Sequence, residues 1–358
     1  MNIAIHTGGG DAPGLNAAIR SATLAAIKRG WNVFGIRNGY NSLYTDEPLI
    51  PLTVEKVRGI TMLGGTILGT DNRKSPFRMP EEKADGSIEL FDRSDEAVEV
   101  FKKNNIDALI AIGGDGSMNI AHRLSEKGLP VVGVPKTIDN DIWGNENSLG
   151  FDTAVTTATE AIDKLKTTAE SHRRIMAVEV MGRYAGWIAL HSGLASSADV
   201  ILIPEIDFTF NSIVSALESN RDKGFEYSVL VIAEGAKEKG GKLFVRKKLP
   251  GQTEQLGGIA RYVAEKLSEL TGQESRSLVL GHLQRGGAPS SFDRFISLRF
   301  GAAAIRAVAD ADFNKMIVMQ KNEIIRIPLS EVAGKNRLVP VDSDTILTAR
   351  NIGICMGD

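Results

Sequence analysis

The sequence has a single cysteine, Cys355, in 358 residues. A disulfide framework within the chain is thereby excluded, and a reducing compartment, the cytoplasm, is expected. No apolar run is long enough to span a bilayer, and the start lacks a basic n-region followed by an apolar h-region. Neither a membrane partner nor a secretory route is expected. With 42 basic and 44 acidic residues the formal net charge is −2, so the cationic surplus that nucleic acid demands is missing too. Low-complexity tracts, long charge runs and short-period repeats are absent. Glycine is in excess, with 37 residues, above the roughly 7% of an average chain. The length suffices for two compact domains with sizeable cores.

Short β-branched runs alternate with longer amphipathic ones. Asn2–His6, Trp31–Ile36, Asp107–Ile112, Val131–Val134, Ile175–Val180, Val200–Ile203, Val229–Ala233 and Leu278–Leu280 read as strands. Gly14–Lys28, Asp95–Asn104, Asp152–Thr168, Asn211–Lys223 and Leu256–Thr271 read as helices. Near-continuous apolar strands separated by helices predict an α/β fold with parallel sheets covered on both faces. Asp71–Asp92 reads as an exposed excursion and Gly235–Gly251 as a surface hairpin or loop. In such sheets ligands sit beyond the carboxyl ends of the strands, so the loops leaving those ends are the first places to look for chemistry.

The first strand runs into Gly8-Gly9-Gly10-Asp11-Ala12-Pro13-Gly14. A glycine turn that opens a helix offers backbone N–H groups and a positive helix end to an anion, although a plain tight turn looks the same in isolation. It is neither a Walker A loop nor a Gly-x-Gly-x-x-Gly fingerprint, which argues against a dehydrogenase. A second loop, Gly113-Gly114-Asp115-Gly116-Ser117, sets a carboxylate among bare amides, the arrangement for Mg²⁺ shared with phosphates; a turn with Asp115 as helix cap is the bland reading. A third, Pro135-Lys136-Thr137-Ile138-Asp139-Asn140-Asp141, places two carboxylates two residues apart. In an extended segment both would point one way, one taking a proton from a hydroxyl and the other placing charge; a solvated acidic turn is the alternative. Met181-Gly182-Arg183 and Gly281-His282-Leu283-Gln284-Arg285 supply cations beside glycines, suited to a phosphomonoester.

Together these five motifs, in this order, resemble the 6-phosphofructokinases along nearly the whole chain. The resemblance implies two Rossmann-like αβα domains. The larger, nucleotide-phosphate-binding one would take 1–150 and 284–334, and the smaller, sugar-phosphate-binding one 151–283 and 335–358. It implies ATP as co-substrate with Mg²⁺, fructose 6-phosphate as acceptor, and a homo-oligomer, a tetramer or a dimer, with shared active sites. Gly9, Arg73, Lys74, Gly113, Gly114, Asp115, Gly116, Ser117 and Lys136 would hold the nucleotide phosphates, with Asp115 on the metal. Asp139 would be the general base, with Arg73, Thr137 and Asp141 assisting the transfer. Thr137, Met181, Gly182, Arg183, Glu234, Arg276, His282 and Arg285 would contact the sugar phosphate, and Arg174 would be donated across a subunit interface.

The sequence also departs from the family pattern. Asp71-Asn72 precedes Arg73 in place of a shorter Gly-Ser-Ala form. Lys136 stands where ATP-using bacterial members carry glycine; pyrophosphate users share this lysine but pair it with aspartate at the position of Gly116. The combination resembles a mixed-substrate subgroup, with pyrophosphate the alternative donor and a non-catalytic nucleotide sensor a remoter one. Leu24 occupies an expected effector-site arginine position, which argues against the familiar allosteric control.

Overall fold

The structure is a computed structural model that describes every residue except Arg73, Ala84, Asp85 and 248–254, and leaves the side chains of Arg246, Lys247 and Gln255 undescribed. Its strands in chain order are β1 (Asn2–Thr7), β2 (Asn32–Ile36), β3 (Leu49–Pro51), β4 (Met79–Glu82), β5 (Ile88–Phe91), β6 (Ala108–Gly113), β7 (Val131–Pro135) and β8 (Ile175–Val180). There follow β9 (Val200–Leu202), β10 (Ser228–Ala233), β11 (Val245–Lys247), β12 (Gln255–Leu256), β13 (Ser275–Val279), β14 (Lys315–Gln320) and β15 (Glu323–Pro328).

The chain falls into two compact units. One comprises Met1–Ile138, Ile142–Asp152 and Arg285–Asn336; the other comprises Asp139–Asp141, Thr153–Gln284 and Arg337–Asp358. The three-residue excursion at Asp139–Asp141 has no counterpart in the sequence reading.

The first unit is built on a seven-stranded sheet of order β15-β14-β7-β6-β1-β2-β3. Its five inner strands run parallel, and antiparallel β3 and β15 close the edges. Alternation along β6 explains its unbroken apolar run: Ala108, Ile110 and Ile112 enter one core and Leu109 and Ala111 the other. Both faces are covered, so neither set can be polar. Helices Leu15–Ile27 and Ser291–Ala309 cover the first face. They approach closely at Gly301, where an added Cβ would lie 2.4 Å from the Ala18 carbonyl oxygen. Helix Ser291–Ala309 gives a weak amphipathic signal because its exposed side mixes Phe292 and Phe295 with arginines. The expected excursion Asp71–Asp92 contains the β4–β5 hairpin.

The second unit carries a parallel sheet of order β13-β8-β10-β9. Its core gathers Ile175, Leu202, Phe208, Leu230, Ile259 and Val263. Two helix N-termini in this unit are already filled by its own carboxylates, buried Glu179 and half-buried Glu205. Glu179 accepts from the Gly258 and Ala260 N–H groups at 2.9 and 3.1 Å, at the start of helix Ile259–Thr271. Glu205 accepts from Gly186 N–H at 3.1 Å, at the start of helix Trp187–Ala195, and from Val339 N–H at 2.8 Å. Such ends attract anions, and here the unit's own carboxylates take that place. The strand expected at Leu278–Leu280 runs from Ser275 to Val279 and forms the sheet edge. The β11–β12 hairpin lies at the end of the expected loop Gly235–Gly251, whose residues 248–251 fall outside the described residues. No helix among the described residues is long and apolar enough to cross a membrane.

Candidate active site

In the first unit β7, β6 and β1 are sheet neighbours, and their carboxyl ends place the first three sequence loops side by side. Gly8 N–H donates to Ile112 O and Lys136 N–H to Gly113 O, each at 2.9 Å. Ser117, buried, fills the gap between the two glycine loops. A Cβ at Gly113 would lie 2.2 Å from Ser117 Cβ, and one at Gly8 would lie 2.7 Å from Ser117 Oγ, so both positions require glycine. Gly116 differs: a Cβ there would meet nothing within 4 Å. Asp115 and Gly116 are exposed on the first turn of helix Asp115–Glu126. The cap position belongs to Gly114, with no side-chain capping bond, so Asp115 is not the helix cap of the bland reading.

Lys136 is buried, and its Nζ donates to the Gly10 carbonyl. Thr70 Oγ1 donates to Gly9 O at 2.6 Å, and Gly9 N–H donates to Asp71 O at 3.2 Å, so the segment after Gly69 braces the first loop. Neither threonine nor aspartate was anticipated in that role. Lys74 is exposed, with its N–H on Asp71 Oδ1 at 3.2 Å, and Arg73 lies outside the described residues. Arg285, expected beside the sugar phosphate, donates from Nη1 to Asp11 O at 3.1 Å and sits 3.0 Å from where a Gly10 Cβ would be. Within its own unit it braces the first glycine loop.

His6 lies directly beneath this loop. It is fully buried, stacked on Tyr40 at 3.8 Å between centroids, and neither ring nitrogen has a hydrogen-bond partner. Burial, and then the charge of Lys136, push its pKa down to about 3. The unfolded chain takes up a proton on this histidine near pH 6.5, whereas the folded protein does not until about pH 3. Stability therefore falls as pH drops through that window, by up to about 1.4 kcal/mol per pH unit. The variant His6→Leu is expected to gain thermal stability over wild type progressively from pH 6.5 to pH 4, while the difference stays flat above pH 7. A difference independent of pH contradicts the buried neutral histidine.

In the second unit, β8 and β10 are neighbours and end at Met181-Gly182-Arg183 and Glu234. The two loops touch: Gly235 N–H donates to Gly182 O at 3.1 Å, and a Cβ at Gly235 would lie 2.1 Å from Arg183 O. Fully buried Gln284 accepts from Met181 N–H at 3.3 Å and ties in the segment after β13, which carries exposed His282. Met181, Gly182, Arg183, Glu234 and His282 thus gather at one end of one sheet. Gln284 belongs to the fifth motif, but its buried tie to Met181 was unanticipated.

Arg174 and Arg276 do not join them. Arg174 precedes β8, and Arg276 pairs with Met176, the second residue of that strand. Both lie at the amino end of the sheet, a strand length of roughly 20 Å from Met181. There they share Glu274: Arg174 Nε donates at 2.7 Å, and Arg276 pairs with the other oxygen. Arg174's hydrogen bond, with the charges of both arginines, holds the Glu274 carboxyl below its usual range. Arg276, expected among the sugar-phosphate contacts, thus stands at the opposite end of β8 from Met181 within its own chain.

Asp139 is half-buried and Asp141 buried. The segment is not extended, because Asn140 between them has φ 53°, a left-handed turn that asparagine tolerates. Strand alternation therefore does not put the two carboxylates on one face.

The sequence matches the Phosphofructokinase family over residues 2–308. It is 45% identical to an ATP-dependent 6-phosphofructokinase of Chloroflexus aggregans, across 100% of this chain and 98% of that protein. It is 46% identical to a pyrophosphate–fructose 6-phosphate 1-phosphotransferase of Amycolatopsis mediterranei, across 96% of this chain and 97% of that protein. Among solved structures it resembles Pichia pastoris phosphofructokinase in the T-state, at 33% identity and a TM-score of 0.79. That match covers 92% of this chain and 35% of the yeast chain, so this chain spans about a third of that longer one.

Proposed function

The chain belongs to the phosphofructokinase family, and we infer that it moves the γ-phosphoryl of ATP to the 1-hydroxyl of fructose 6-phosphate, giving fructose 1,6-bisphosphate. The observation that carries the choice of donor is Gly116, which leaves open space above the second glycine loop. An α-phosphate and ribose can lie there. Lys136 speaks for the second reading, pyrophosphate, which the Amycolatopsis relative's name supports for that protein. Its Nζ is, however, taken by the Gly10 carbonyl, so it serves as a fixed cation of the cradle as readily as a grip on a small anion.

Phosphoryl transfer proceeds through a loose transition state, so the protein's task is to position reactants and neutralise spreading charge. Gly9, Gly113, Gly114, Gly116 and Ser117 form the cradle, with Lys136, Lys74 and Arg73 as the cations of that side. A single exposed carboxylate, Asp115, suits Mg²⁺, which keeps several waters and arrives with phosphate oxygens rather than in an all-protein cage. Mg²⁺ held there would offset charge on the nucleotide phosphates. Asp139 takes the proton of the 1-hydroxyl, with Thr137 and Asp141 beside it, and Met181, Gly182, Arg183, Glu234 and His282 bind the sugar phosphate.

Arg174 and Arg276, at the far end of the sheet, serve the site of a neighbouring copy in a homo-oligomer. Edge strand β13 supports this: its Leu278 and Val279 are exposed, and among the described strands it pairs with β8 alone. Mixing two inactive proteins, Arg174→Ala and Asp139→Asn, is expected to regenerate turnover of fructose 6-phosphate with Mg-ATP through hybrid oligomers. No recovery, despite demonstrated subunit exchange, argues against a shared site.

A further inference from the structure

We propose that Arg337 is the positioning residue that fixes the Asp139–Asp141 turn, acting as a strut between that turn and Trp187. The proposal rests on the reading of Asp139 as the base. Both flanks of the turn, Ile138 and Ile142, belong to the first unit, yet Asp139–Asp141 itself belongs to the second. Arg337 joins the turn to the second unit by two bonds. Its backbone N–H donates to Asp141 O at 2.7 Å, and Nη1 donates to Asn140 O at 3.2 Å, across 197 residues of sequence. Together these hold the carbonyls of the left-handed Asn140 and of its neighbour.

The other side of Arg337 is anchored as firmly. Its guanidinium lies over the Trp187 ring at 4.0 Å, and Trp187 Nε1–H donates to the Arg337 carbonyl at 3.0 Å. Two residues on, Val339 N–H donates to Glu205, the carboxylate that also holds Gly186 N–H next to Trp187. The start of helix Trp187–Ala195 thus fixes Arg337, and Arg337 fixes the turn. The guanidinium suits this role because it is planar and permanently charged, able to stack flat on one group while donating to another; lysine's compact ammonium lacks the flat face for stacking. A base displaced by about an ångström from the attacking hydroxyl loses rate while the substrate can still bind.

Arg337→Ala is expected to lower kcat by roughly 10- to 100-fold while KM for fructose 6-phosphate and for Mg-ATP stays within about threefold, with Arg337→Lys between the two. Added to Asp139→Asn, it should lower kcat by less than about twofold more, since a strut to an absent base has nothing left to position. Should the alanine variant not fold, Trp187→Phe keeps a smaller aromatic face and removes the N–H bond; a kcat loss of about threefold at unchanged KM carries the same meaning. Full kcat in Arg337→Ala, or in a folded Trp187→Phe where the alanine variant is lost, overturns the proposal. So does a loss that adds in full to that of Asp139→Asn. Near-normal kcat in Asp139→Asn overturns the base reading itself, which separates that failure from a failure of the strut.

Discussion

Asp139→Asn is expected to reduce kcat by roughly 10²-fold or more, with KM for fructose 6-phosphate within a few-fold of wild type. The amide keeps the size of the carboxylate and can still hydrogen-bond to the sugar, so ground-state binding survives. It has no basic oxygen for the proton of the 1-hydroxyl, which must then leave to water as the bond to phosphorus forms. Arg337 grips the turn through the Asn140 and Asp141 carbonyls, not through the Asp139 side chain, so the substitution leaves that grip in place. A variant that turns over within a few-fold of wild type removes Asp139 from the mechanism.

Gly116→Asp is expected to cut kcat/KM for Mg-ATP by roughly 10²-fold, while Gly116→Ala keeps most of it. Because a Cβ at this position meets nothing within 4 Å, neither side chain is blocked at its base. What changes is the open space. A carboxylate there stands close to an α-phosphate, and two like charges about 4 Å apart near a protein surface repel by about 4 kcal/mol before screening. Pyrophosphate has no α-phosphate or ribose, so its use should fall far less. Retention of ATP use by the aspartate variant refutes the steric and electrostatic basis for the donor.

Much of this was visible in the sequence because several glycine turns follow apolar strand runs in a fixed order, which a lone tight turn does not imitate. The loops at Gly8–Gly10, Gly113–Ser117 and Met181–Arg183 all follow strands and all lie at carboxyl ends of parallel sheets. What the residues could not convey was register. Arg174 and Arg276 look as site-like as Arg183 until pairing sets Arg276 beside Met176, at the opposite end of β8. Turn geometry was equally hidden: Asp139-Asn140-Asp141 reads as extended or bent with equal ease, and φ 53° at Asn140 decides it. Arg337 carries no local signal, since its partners come from two distant segments. The braces Thr70 and Asp71 are ordinary loop residues until the Gly9 backbone lies against them.

Measuring kcat/KM for Mg-ATP and for Mg-pyrophosphate with fructose 6-phosphate, on one preparation of the wild-type protein, tests the central claim most directly. The open space at Gly116 predicts the higher value with Mg-ATP, with ADP and fructose 1,6-bisphosphate released in equal amounts. A higher value with pyrophosphate would contradict it.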